Sequence, residues 1–135
     1  MKNYFQLSEF LHSVKAKIYH IDNTPSFEVV DNLKELRDKI LNPLREEFGE
    51  PIIITSGYRC PKLNAAVGGS VNSQHMLGQA ADIKAANGGI EANRRLFAII
   101  QRLALPFDQL VVEYNYSWLH ISYSHRHRRQ VLSKP

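Results

Sequence analysis

The fold turns on Gln109-Leu110-Val111-Val112-Glu113-Tyr114-Asn115-Tyr116-Ser117-Trp118-Leu119-His120-Ile121-Ser122-Tyr123. Two strand-like runs, 109–114 and 118–123, flank a tight polar Asn115-Tyr116-Ser117, which predicts an antiparallel hairpin. Upstream, Ala80 to Lys84 reads as another strand. Pro51-Ile52-Ile53-Ile54-Thr55 reads as a buried one, β-branched and bounded by Pro- and Gly-containing segments. Between strand and hairpin, Gly88-Gly89 opens a helix whose Ile90, Leu96, Phe97, Ile99, Ile100 and Leu103 carry the core face until Pro106. Pro61 to Ala66 predicts a short helix stopped by Gly68-Gly69, with Ser70 to Gln74 as polar loop. Near the start, Thr24 is the expected N-cap, with Pro25 at the first helical position. Val29, Leu33, Leu36, Ile40, Leu44 and Phe48 then recur at helical spacing until Gly49. Pro43 predicts a kink or break near Asn42. A shorter helix is expected to precede it, from Ser8 into Leu11 and Val14. Helices first and strands later predict an α+β fold: a small, mainly antiparallel sheet with packed helices.

The 135 residues are about one domain's worth, and the composition is globular: 44% hydrophobic, 22% charged, seven Gly and six Pro. We therefore expect one domain, 1–135, with a short tail from about residue 125. A single cysteine, Cys60, excludes an internal disulfide, a thiolate zinc cage and a CxxC redox motif. Any metal must use His, Asp or Glu. Cys60 follows Arg59, a cation that favours a thiolate, but no His–Asp or His–Asn pair is placed to activate it, so it reads as structural. The N-terminus has no apolar run or cleavage pattern of a signal peptide, and no stretch approaches the ~20 apolar residues of a membrane span. The expectation is a monomer, cytoplasmic as synthesised, with no membrane partner. Net charge is +4, concentrated in His125, Arg126, His127, Arg128 and Arg129. Without an interleaved aromatic platform or a recognised motif, that run reads as a solvated tail and no nucleic-acid partner is expected.

Chemistry concentrates in Ser73-Gln74-His75-Met76-Leu77-Gly78-Gln79-Ala80-Ala81-Asp82, in Glu113, and in Trp118-Leu119-His120. Strand alternation puts Asp82 on one face with Ala80 and Lys84, and a carboxylate among small apolar residues needs a partner or a cation. His120 interrupts the apolar Leu119/Ile121 pair. Two imidazoles and a carboxylate leave a fourth tetrahedral position open, as a catalytic zinc requires. Gly78 and Ala80 read as space for close backbone approach.

Ser73-x-His75-x-x-Gly78-x-Ala80-x-Asp82, followed by Trp118-x-His120, resembles the zinc-ligand signature of the D-alanyl-D-alanine carboxypeptidase family. That family includes D,D-dipeptidases and the L-alanyl-D-glutamate endopeptidases of phage lysins. Ser56-Gly57-Tyr58-Arg59 is similar to the family's segment carrying a substrate-facing arginine, and the match runs from about Ile52 to Tyr123. The resemblance implies Zn2+ held by His75, Asp82 and His120 with a water in the fourth site, and a peptidoglycan stem peptide as substrate. Arg59 would clamp a substrate carboxylate or amide carbonyl, against a salt bridge as its alternative, and Ser73 would bond substrate or only tie down the loop before His75. As aromatics, Tyr58 and Trp118 read as walls of the cleft or as core. Release to the cell wall would then need lysis or a non-Sec route.

In several family members the base that takes the water's proton stands three residues before the second His, where this chain has Ser117, which cannot act as one. Glu113 and Asp108 remain as candidates. Glu113 lies near the hairpin end and interrupts Leu110-Val111-Val112, so it is preferred. Asp108 is expected to fix the Pro106-Phe107 turn, on the opposite face of an unbroken strand. The alternative is a non-catalytic zinc domain that binds cell-wall peptides or another partner.

Overall fold

A computed structural model describes residues 2–135. Two short helices come first, α1 (Leu7–Leu11) and α2 (Val14–Ile18), where one had been expected. α3 (Phe27–Leu36) begins later than Thr24-Pro25 implied: Ser26 is its cap, its hydroxyl accepting from Val29 N at 3.2 Å. Thr24 instead bonds Asp22 through its backbone N–H, at 3.0 Å. The kink anticipated at Pro43 takes the form of a π-helical turn, Arg37–Leu41, leading into α4 (Asn42–Phe48). Pro43 has no N–H to give the carbonyl four residues back, and the wider turn just before it lets Asn42 N bond Arg37 O instead. Gly49 ends α4 in the left-handed region, as its position predicts.

The sheet comprises β1 (Ile52–Ser56), β2 (Ala80–Ala85), β3 (Gln109–Glu113), β4 (Trp118–Ser122) and β5 (Gln130–Lys134), in the order β1-β2-β4-β3-β5. All pairings are antiparallel except β3 with β5. α5 (Pro61–Ala66) and a 3-10 turn (Gln74–Leu77) lie between β1 and β2, and α6 (Gly89–Arg102) joins β2 to β3. β5 is the departure from expectation, because residues read as a solvated tail return as an edge strand.

Alternation divides the sheet into two faces. Ala81 and Ile83 of β2, Leu110 and Val112 of β3, and Leu119 and Ile121 of β4 pack against Leu33, Leu36, Ile40, Leu96 and Ile100 of the helices. Each of these large side chains is worth about 1.5–3 kcal/mol on burial. The opposite face carries Asp82, His120 and Val111 side by side in register, with Glu113 opposite Trp118 one step along. A bulge between Ile54 and Ser56 sets Ser56 opposite Asp82, so its side chain joins that face.

The β3–β4 turn holds Tyr114, Asn115 and Tyr116 at φ of 47°, 55° and 62°. Such backbone costs energy in non-glycine residues and needs outside support. Buried Asn93 of α6 supplies it, donating to Tyr116 O (2.8 Å) and Ser117 O (3.2 Å) while accepting from Ala85 N (2.8 Å). One amide thereby ties the strand of Asp82 to the hairpin of His120.

Candidate metal centre

His75 sits in the 3-10 turn, capped by Ser73, whose hydroxyl accepts from His75 N at 3.1 Å. Its ring is buried and oriented by Gly57: Nδ1–H donates to Gly57 O at 2.7 Å, which leaves the lone pair on Nε2. Gly57 is required there, since a Cβ would stand 2.4 Å from Phe10 O. Gly78 closes the turn at φ +72°, with Val29 O 2.7 Å from where a Cβ would lie, the close approach its spacing predicted. Ala80 is fully buried beside it.

His75 Nε2 and His120 Nδ1 point at one oxygen of Asp82, at 3.3 Å and 3.1 Å, with the rings 5.1 Å apart. The three donor atoms lie within 4.8 Å of one another. Burial pushes the Asp82 carboxyl up, but hydrogen bonding to His120 and His75 outweighs it and holds the group well below the usual carboxylate range. Lone pairs aimed at one point repel unless a proton or a cation lies between them. Two imidazoles and one carboxylate, with no thiolate and no oxygen cage, fit zinc better than a soft metal or calcium.

Arg59 stands beside this cluster, anchored at three places: Nε to Ser56 Oγ (3.1 Å), Nη1 to Asn64 Oδ1 (3.3 Å) and Nη2 toward Asp82 Oδ2 (3.5 Å). Burial lowers its proton affinity, and the charges of Asp82 and Glu113 oppose that. A cleft of about 740 Å³ opens over the cluster, and Arg59, Ser73, Glu113 and Trp118 all line it. Trp118 Nε1 donates to Glu113 Oε2 at 3.0 Å, which holds that carboxylate on the metal face of the hairpin. Tyr58 is not among the lining residues. It is buried beneath α1, its N–H donating to Phe10 O at 2.7 Å, and borders a separate pocket of about 330 Å³.

Asp108, the rival base, is fully buried and saturated. Arg128 donates to it through N (3.2 Å), Nε (2.8 Å) and Nη2 (3.1 Å), joined by Gln74 Nε2 (3.0 Å) and Ser124 Oγ (3.0 Å), with Arg126 Nη2 at ion-pair distance, 3.3 Å. The Arg128 bonds above all hold its carboxyl well below the usual range. Its side-chain bonds go to Gln74 and the C-terminal segment, which it anchors, and not to the Pro106-Phe107 turn it was expected to fix. Cys60 caps α5, its sulfur accepting from Leu63 N at 3.4 Å, in keeping with a structural role.

Sequence reasoning passed over Ser56, Asn64 and Gln74, which hold Arg59 and Asp108, and the Arg126, Arg128 and Lys134 wall of the cleft. The polar Ser56 and Asn64, each within five residues of Arg59, were the available signal.

The family described as peptidase M15 matches residues 3–122. Among characterised proteins, the zinc D-Ala-D-Ala carboxypeptidase of Streptomyces albus G is 42% identical over 50 residues, covering 36% of this chain and 20% of that protein.

Proposed function

The chain belongs to the peptidase M15 family, and from that premise we propose that it is a zinc-dependent peptidase of peptidoglycan stem peptides, of the D,D-carboxypeptidase or L-alanyl-D-glutamate endopeptidase type. The observation that carries the reading is the meeting of three potential ligand atoms from His75, Asp82 and His120 in a cleft that also holds an oriented glutamate and an anchored arginine. His75, Asp82 and His120 would hold the zinc, which when bound polarises a carbonyl and brings the pKa of a water toward ~7.

This chain's own residues do the rest. Glu113 takes the water's proton and passes it to the leaving amine, a role for which the Trp118 indole N–H orients its carboxylate. Asp108 is unsuited to that role because its oxygens are already occupied by charged and neutral donors. Arg59, held by Ser56 and Asn64, presents a fixed fork to a substrate carboxylate or amide carbonyl. The Ser73 hydroxyl uses a lone pair on His75 N and keeps its proton to donate to substrate. Trp118 provides an apolar wall.

Elemental analysis together with hydrolysis of defined stem peptides tests the proposal. About one zinc per chain and cleavage at a D-alanyl-D-alanine or L-alanyl-D-glutamate bond is the expected result. Zinc-loaded protein that cleaves neither would make it a binding domain instead.

A further inference from the structure

One wall of the cleft is formed by the segment after β4, and the family match, which ends at residue 122, does not include it. This wall is fixed in place. β5 pairs with β3 along its whole length, from Gln109 with Gln130 to Glu113 with Lys134, and Arg128 is locked onto buried Asp108. The cleft is lined by four cations, Arg59, Arg126, Arg128 and Lys134, against two carboxylates, Asp82 and Glu113. Asp108, behind the wall, offsets one more.

The four cations are not equivalent. Arg59 is tied to Ser56, Asn64 and Asp82 beside the metal cluster, Arg128 has its fork on Asp108, and Lys134 Nζ lies 3.9 Å from Glu113 Oε1. Arg126 touches Asp108 through Nη2 alone, at 3.3 Å, while Arg128 already neutralises that carboxylate. Its side chain is 58% exposed, so the remaining guanidinium donors face the cleft and solvent. Asp108, which fixes the position of Arg126, lies three residues along the chain from Val111, the residue paired with His120. Arg126 is thus tethered where β3 begins, at the other end of that strand from Glu113.

We infer that Arg126 is a specificity-determining residue that binds a free carboxylate of an extended peptide lying across His75, Asp82 and His120 in the same cleft. The identity of the peptide rests on the peptidase reading; the carboxylate preference does not. A planar fork with free donors favours a carboxylate over a carboxamide by losing charge-assisted bonds in the second case. The C-terminal segment therefore takes part in recognising substrate.

The test uses a stem pentapeptide containing both an L-alanyl-D-glutamate and a terminal D-alanyl-D-alanine bond, as the free acid and with its carboxyl groups converted to carboxamides. Wild type is expected to prefer the acid by about tenfold or more in kcat/KM. Arg126→Gln should bring that preference to about twofold through KM, and Arg126→Lys should fall between. Binding is followed separately by fluorescence of Trp118, the only tryptophan, which lines the cleft. Acid-selective binding lost in Arg126→Gln, with neither peptide cleaved by wild type, would retain this inference and remove the peptidase reading. Equal binding of both peptides by wild type, or an acid preference unchanged in Arg126→Gln, would overturn the inference whatever the hydrolysis shows.

Discussion

Asp82 and Asp108 are the two buried carboxylates among the described residues, and both are held well below the usual carboxylate range. Their surroundings nevertheless have opposite chemistry. Asp108 receives hydrogens from the Arg128 guanidinium, an amide, a hydroxyl and a backbone N–H, with the Arg126 guanidinium at 3.3 Å, so its charge is fully answered by protein. Asp82 meets two imidazole nitrogens, each able to hold either a proton or a cation against it, plus an arginine at 3.5 Å. Burial and depressed proton affinity do not by themselves mark a functional carboxylate. What separates a candidate ligand from an anchor is whether its partners always carry protons, as guanidiniums do, or can exchange theirs for a cation, as imidazoles can.

The sharpest way to break this contrast is to neutralise each carboxylate in turn. Asp82→Asn should reduce zinc from about one per chain to a small fraction, and turnover to background, because an amide is a poor substitute for an anionic ligand. Its melting midpoint in chelator should stay near that of metal-free wild type. Elemental analysis and melting curves on one preparation check both statements, and full zinc occupancy in the variant would dissolve the contrast.

Glu113 is the third carboxylate of this region, half-buried and neither anchor nor ligand. Glu113→Gln should keep its zinc and its stability, since the amide nearly matches the carboxyl in shape, while kcat falls about 10²–10⁴-fold, the usual contribution of a positioned general base. Single-turnover hydrolysis with metal analysis would read this. An active Glu113→Gln beside an inactive, zinc-loaded Asp108→Asn would reverse the assignment.

Asp108→Asn is expected to keep zinc and lose about 2–3 kcal/mol of stability, below the full cost of breaking a wholly buried pair because Arg126 and Arg128 reach solvent. The pH dependence has a definite sign. A carboxylate held below its unfolded value of about 3.9 contributes stability that is complete above that pH and lost as pH falls through the window beneath it. Wild type should therefore lose stability below about pH 4, and Asp108→Asn should lose less over the same interval. Urea denaturation at several acidic pH values measures the difference; parallel curves would show that Asp108 is not the anchor.

The smallest effect is expected at Arg59. Arg59→Lys keeps the charge but cannot bond Ser56, Asn64 and substrate at once, so kcat/KM should fall about tenfold with little change in melting temperature. Equal activity would return Arg59 to a structural ion pair with Asp82.

Much of the architecture was legible before any coordinates. β-branched runs and their alternation located β1 to β4, helical spacing located α3, α4 and α6, and two polar interruptions in strands, Asp82 and His120, marked the cluster. Helix starts were less so, because Thr24 and Ser26 are both acceptable caps and only the surrounding turn selects one. Tyr58 read as either cleft wall or core, and its backbone bond to Phe10 places it in the core.

β5 and the arm before it could not be read in this way. All five β5 residues are exposed, so they carry no hydrophobic alternation, and their pairing depends on β3 and on the Asp108 anchor twenty residues upstream of Arg128. By itself the sequence determined the α+β order of elements and the three candidate ligands, because periodicity and residue chemistry are local properties. Only the tertiary structure decided that Asp108 is an anchor, that Glu113 is the carboxylate oriented toward the cleft, and that a basic segment becomes one of its walls. Those roles are set by partners far away in the chain, and a charged side chain has the same local signal whether its counter-charge is a distant residue, a substrate or water.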